Sequence, residues 1–99
     1  MKSERKNVSA GRKERFNLGR VTATPAVMGA VGANEILLAL ARHAAGDWGS
    51  VEWEDKEANE RALRDSGRLL SSYYCRGKKF WIITEPNRSA TTVLLPEDY

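Results

Sequence analysis

His43 is the only histidine in the chain and Cys75 the only cysteine, so any acid–base or thiol chemistry has few places to reside. His43 follows Ile36 and Leu40 at helical spacing, which sets it beside an apolar stripe near a helix C-terminus. There the helix dipole favours the protonated form, and a general acid or base could act. The plain reading is a boundary histidine bonded to a backbone carbonyl, because spacing alone supplies it no partner. Cys75 stands just before Arg76-Gly77, where nearby cations could activate a thiol. A lone thiol in a strand is otherwise packing.

A richer set lies in the C-terminal half: Arg68, Ser71, Tyr73, Thr84, Arg88, Thr91 and Thr92. By strand alternation Ser71 and Tyr73 share a face with Leu69, and Thr84 shares one with Phe80 and Ile82. On an uncovered sheet face these hydroxyls and guanidinium groups would form a phosphate or RNA groove, with arginine supplying paired contacts. The alternative is cross-strand Ser/Thr pairing with surface arginines. One His and one Cys do not meet the ligand count of a zinc site, and no cofactor is expected. Gly29, Gly32 and Gly46 lack the Lys-Ser/Thr step of a phosphate loop.

Positioning these groups requires elements, and the chain marks them clearly. Thr24-Pro25 is a helix start, with the hydroxyl as cap and proline at a position whose N–H has no intrahelical partner. That helix runs to about Val31 and closes at Gly32. Asn34 is expected to cap a second helix over 35–45, ended by Gly46, with Ile36, Leu37, Leu40, Ala41 and Ala44 as its inner stripe. Trp48 plugs the end of the core. A charged helix follows from residue 50 or 52 to 65, with Val51, Ala58, Ala62 and Leu63 inward. Its early acids and late arginines suit its dipole.

After Gly67 the pattern becomes extended. Residues 69–75 and 79–85 flank Arg76-Gly77 as a hairpin, and 91–95 forms a last strand stopped by Pro96. Phe16, Leu18, Val21 and Thr22 suggest a further short edge strand. The expectation is an α+β fold of two layers, N-terminal helices packed on a three- to four-stranded antiparallel sheet.

Ninety-nine residues suit one domain with one modest core, and 41% hydrophobic with 29% charged residues is a globular composition. Residues 1–20 carry seven Lys and Arg against two acids, whereas 21–99 carry nine against eleven, so the net +3 belongs to the N-terminus. We divide the chain into a basic arm, 1–15, and a single domain, 16–99. No apolar run approaches the roughly 20 residues of a membrane span, and the N-terminus lacks the apolar core of a secretory signal. A cytoplasmic protein without membrane contact is expected. Its partner would be a protein or nucleoprotein complex, or nucleic acid reached through Arg5, Lys6, Arg12, Lys13, Arg15 and Arg20.

Several segments carry a family resemblance: Val21-Thr22-Ala23-Thr24-Pro25, His43 through Gly46-Asp47-Trp48-Gly49, Asn59-Glu60, Ala62-Leu63 and Arg68-Leu69-Leu70-Ser71 with Tyr73. So do Trp81-Ile82-Ile83-Thr84-Glu85, Arg88-Ser89 and the run from Thr91 to Tyr99. Across about 17–99 the chain resembles short bacterial proteins of plasmids and integrative elements, often labelled plasmid-related or type I restriction modification subunit. A methyltransferase would need a larger doubly wound sheet with a glycine-rich first turn. What the resemblance implies is a mobile-element setting and no assigned catalytic residue. Three readings follow. The first is a non-enzymatic interaction protein, such as an anti-CRISPR or anti-restriction inhibitor. The second is a metal-independent ribonuclease of barnase or RelE-like toxin type, which requires His43, Arg68, Tyr73 and Arg88 to converge. The third is a small DNA- or RNA-binding regulator, disfavoured by the acidic body.

Overall fold

The computed structural model describes residues 13–99. Its elements are β1 (Arg20–Ala23), α1 (Pro25–Val31), α2 (Ala33–Ala44), α3 (Trp53–Asp65), β2 (Leu69–Cys75), β3 (Lys78–Thr84) and β4 (Ala90–Leu94), followed by a 3-10 turn at Pro96–Asp98. The three helices follow β1, precede the other three strands and lie on one face of a four-stranded sheet of order β1-β4-β3-β2. This is an α+β fold of two layers.

The sheet is mixed, which corrects the expectation of antiparallel pairing throughout. The β2–β3–β4 meander is antiparallel, with Ser71 opposite Ile82 and Ile82 opposite Val93. The N-terminal strand instead runs parallel to β4, Val21 beside Thr91. A parallel pair needs a long crossover, and the helices together with the meander supply it. That strand also begins later than the apolar residues suggested, because Phe16 and Leu18 turn inward before it and pack, half-buried, against the two core clusters. Gly19 makes the turn possible: its φ of 68° is left-handed, and a Cβ there would strike the backbone of Ser89.

Local signals account for most boundaries. The Thr24 hydroxyl accepts from the Val27 N–H at 3.2 Å and opens α1. Gly32, at φ 93°, both ends α1 and caps α2, so Asn34 falls inside the first turn instead of capping it. Arg76 and Gly77 both take positive φ, 52° and 80°, as the two-residue hairpin turn demands.

Two helix faces differ from expectation. The buried side of α2 is Ile36, Ala39, Leu40, His43 and Ala44, while Leu37 is exposed. The inward arc is centred on positions 36, 40 and 43, and Leu37 lies one residue, about 100° of helix rotation, away from it. In α3 the buried residues are Asn59 and Ala62, and Ala58 faces out. Asn59 is drawn in because its side-chain amide donates to the Leu70 carbonyl at 2.7 Å and accepts from the Leu70 N–H at 3.1 Å, imitating a neighbouring strand. The loop before α3 continues this cover, with Ser50 N–H on the Ser72 carbonyl at 2.7 Å and Ser72 N–H on the Trp48 carbonyl at 3.1 Å. Together they shield part of the free edge of β2.

Between helices and sheet lies a main core of Val27, Val31, Ile36, Leu40, Phe80, Ile82 and Val93. A second cluster joins Trp48, Ala62 and Leu69 with Phe16 and Val51. Each large side chain fully buried there contributes about 1.5–3 kcal/mol.

Candidate functional site

Between the two clusters runs a seam of polar side chains. His43 of α2, Ser71 of β2, Thr84 of β3 and Thr91 of β4 all point to the helix-covered face, and all four are 0% exposed. His43 Nδ1 is 2.5 Å from Ser71 Oγ, and its Nε2 is 2.9 Å from Thr84 Oγ1. Thr84 Oγ1 lies 2.7 Å from Thr91 Oγ1, which donates to the Leu18 carbonyl at 2.6 Å.

The carbonyl at the end of this chain sets its direction. A carbonyl oxygen only accepts, so Thr91 spends its single proton there, and Thr84 must then spend its own on Thr91. Thr84 has only an acceptor left for the imidazole, so His43 donates through Nε2–H. Its Nδ1 is consequently the acceptor for the Ser71 hydroxyl. A neutral imidazole satisfies both contacts, and burial first, then the charge of Arg88, pushes the His43 pKa down to about 3. The rings of Phe16 and Trp48 pack edge-on to the imidazole at 5.2 and 5.7 Å.

A serine hydroxyl on an imidazole nitrogen is the pairing that activates serine nucleophiles. Here both partners are sealed beneath α2 and the aromatic rings, and the pair holds the layers together instead of meeting a substrate. The proposed groove is not formed for the same reason: Ser71, Tyr73, Thr84 and Thr91 lie on the covered face, and Thr92 is half-buried on the other.

The four residues of the ribonuclease constellation do not meet in one open cleft, although Arg88 lies near enough for its charge to act on the buried His43. Tyr73 Oη donates to the Asp47 carbonyl at 2.6 Å. Arg68 reaches the opposite side of the sheet, where Nη2 donates to Tyr99 Oη at 2.9 Å and Tyr99 packs on Trp81. Arg88 is a backbone clamp: Nη1 donates to the Gly67 carbonyl at 2.6 Å and Nη2 to that of Ala62 at 2.9 Å. It thereby ties the end of α3 to the β3–β4 turn. Cys75 is buried in the floor of a groove between α2 and β2.

Of the cations assigned to partner binding, Arg5, Lys6 and Arg12 lie outside the described residues. Lys13 and Arg20 are exposed. Arg15 docks on the body: its N–H donates to the Ala44 carbonyl at 2.7 Å, and its guanidinium forks onto both oxygens of Glu60 at 3.1 and 2.9 Å. The hydrogen bond from Arg15, then that from the Trp48 indole at 3.0 Å, holds the Glu60 carboxyl below its usual range. No local sequence pattern announces this hook, which joins residues 45 positions apart.

On the outside, α3 presents Trp53, Lys56, Glu57, Glu60, Arg61 and Arg64 around a shallow depression of about 410 Å³. Their spacing of three, four, seven, eight and eleven residues from Trp53 is one helix face. Trp53 is 67% exposed. With Glu60 spent on Arg15, this face keeps Lys56, Arg61 and Arg64 against Glu57 alone. Sequence reading marked the helix as charged and missed the tryptophan at its head.

Among the described residues no three His, Cys, Asp or Glu side chains gather as metal ligands, and no helix is long and apolar enough to cross a membrane. No family model, curated protein or solved structure matches the chain.

Proposed function

We propose that the chain is a non-enzymatic interaction protein of a mobile genetic element, an inhibitor of host defence that acts by occupying an acidic surface of a protein or nucleoprotein complex. The observation that carries this reading is Trp53, exposed at the head of a helix face that also bears Lys56, Arg61 and Arg64. Tryptophan and arginine are the residues that dominate binding energy at protein interfaces. The cation-rich N-terminal residues join the body at Arg15, beside the same face, and add steering charge. The resemblance to proteins of plasmids and integrative elements supports the setting.

The test is protection of incoming phage or plasmid DNA in cells carrying a type I restriction or CRISPR system. The intact protein is expected to protect, and Trp53→Ala with Arg61→Glu to abolish protection without lowering the melting temperature. Protection retained by that variant contradicts the assignment of the α3 face. Failure of the intact protein against every system tried contradicts the anti-defence reading.

A further inference from the structure

A second surface stands apart from the α3 face. On the outside of α2, Leu37 and Leu38 are 64% and 59% exposed, and Tyr74 of the adjoining β2 is 59% exposed. Asn34, Leu37, Leu38 and Ala41 line an apolar depression of about 340 Å³, and Glu35, Leu38, Arg42 and Tyr74 belong to the groove of about 180 Å³ beside it. Leu38 is common to both, so the two form one continuous strip along the helix.

The charges on this strip are arranged symmetrically about its apolar middle. Glu35 lies three residues before Leu38 and Arg42 four after, on the same side of the helix. Glu35 has no hydrogen bond or ion pair among the described residues. Arg42 binds Asp47 through Nε at 2.8 Å and Nη2 at 3.3 Å and lies over the Tyr73 ring at 4.6 Å, and among the described residues its Nη1 makes no hydrogen bond, which leaves it for a second carboxylate.

From this we infer that the exposed face of α2 is a homodimer interface, in which a second copy of the chain packs its own α2 antiparallel across a two-fold axis near Leu38. In such a pair, positions whose numbers sum to about 77 face each other. Glu35 then meets Arg42 of the second copy, and Arg42 meets Glu35. The two Leu38 side chains meet at the axis, and each Leu37 covers Ala41 of the other copy. A self-complementary patch is what an isologous two-fold contact requires, and a single acid or base at the centre would have opposed it. At 12 residues α2 is about 18 Å long, and a single pair of such helices makes a small contact, so the dimer is expected to be weak and to dissociate on dilution.

Sedimentation velocity across a concentration series decides the matter. The intact chain is expected to pass from 11.1 kDa to twice that mass as concentration rises. Glu35→Arg alone and Arg42→Glu alone should each remain monomeric, because each opposes like charges across the axis. Mixed one to one, they should form a heterodimer, since both cross-axis pairs are then opposite in sign. Leu38→Lys is the second monomeric variant and touches no internal contact of Arg42. A chain monomeric throughout, a dimer that survives Leu38→Lys, or a charge-reversed pair that fails to associate would each overturn the inference. Trp53→Ala leaves this equilibrium unchanged, so loss of protection and loss of dimer are separable.

Discussion

The helices and the sheet sort their side chains differently. In β3 the pattern is ordinary: Phe80, Ile82 and Thr84 point to the helices, and the exposed positions near its start are lysines. In α2 the order is partly reversed, with His43 wholly buried and Leu37 and Leu38 in water. Helix α3 does the same, hiding Asn59 and showing Trp53. The buried polar groups have their hydrogen bonds satisfied within the fold, so they are structural; the exposed apolar groups are left uncovered by the described residues, and the proposed partner surfaces are drawn from them.

This contrast is broken most severely by His43→Ala. It empties a buried site and leaves Ser71 and Thr84 without their partner, at an expected cost of about 3–5 kcal/mol by denaturant unfolding. His43→Gln keeps one donor and one acceptor and should lose much less.

Acid comes next. The unfolded chain takes up a proton on His43 below its ordinary pKa of 6.5, while the folded chain resists until about 3. The stability is therefore complete above pH 6.5 and falls by about 1.4 kcal/mol per pH unit toward 3. Between pH 6.5 and 5 the loss amounts to about 2 kcal/mol. Chemical denaturation at several pH values measures it, and His43→Gln should flatten the slope.

Asn59→Ala removes the amide from the edge of β2 and should cost about 1–2 kcal/mol in the same assay. Arg15→Ala breaks a pair whose side chains are both 44% exposed, so less than about 1 kcal/mol is expected. Trp53→Ala should change stability within about 0.5 kcal/mol, because an exposed side chain has little packing to lose. A large destabilisation there would assign Trp53 to the fold and remove it from the proposed interface.

The architecture was legible where punctuation is local. Thr24-Pro25, Gly32, Gly46 and Arg76-Gly77 stand at real boundaries because each satisfies or permits a backbone conformation within a few residues. The direction of β1 was not, since parallel pairing with β4 depends on where a long crossover returns the chain. The same limit applies to the polar seam. Alternation correctly grouped Ser71 with Tyr73 and Thr84 with Phe80, but it could not say which face the helices would cover. Nor could Ala58 be told from Asn59, because the reason Asn59 turns inward is a backbone edge eleven residues away.

The most direct measurement is nitrogen NMR of the His43 imidazole across a pH titration. The one-way chain from Ser71 to the Leu18 carbonyl requires a neutral ring with the proton on Nε2 and an unprotonated Nδ1, unchanged from pH 7 to 5. An imidazole that titrates near pH 6.5, or carries its proton on Nδ1, would show that His43 is open to solvent or differently bonded, and would contradict the satisfied polar interior on which the comparison rests.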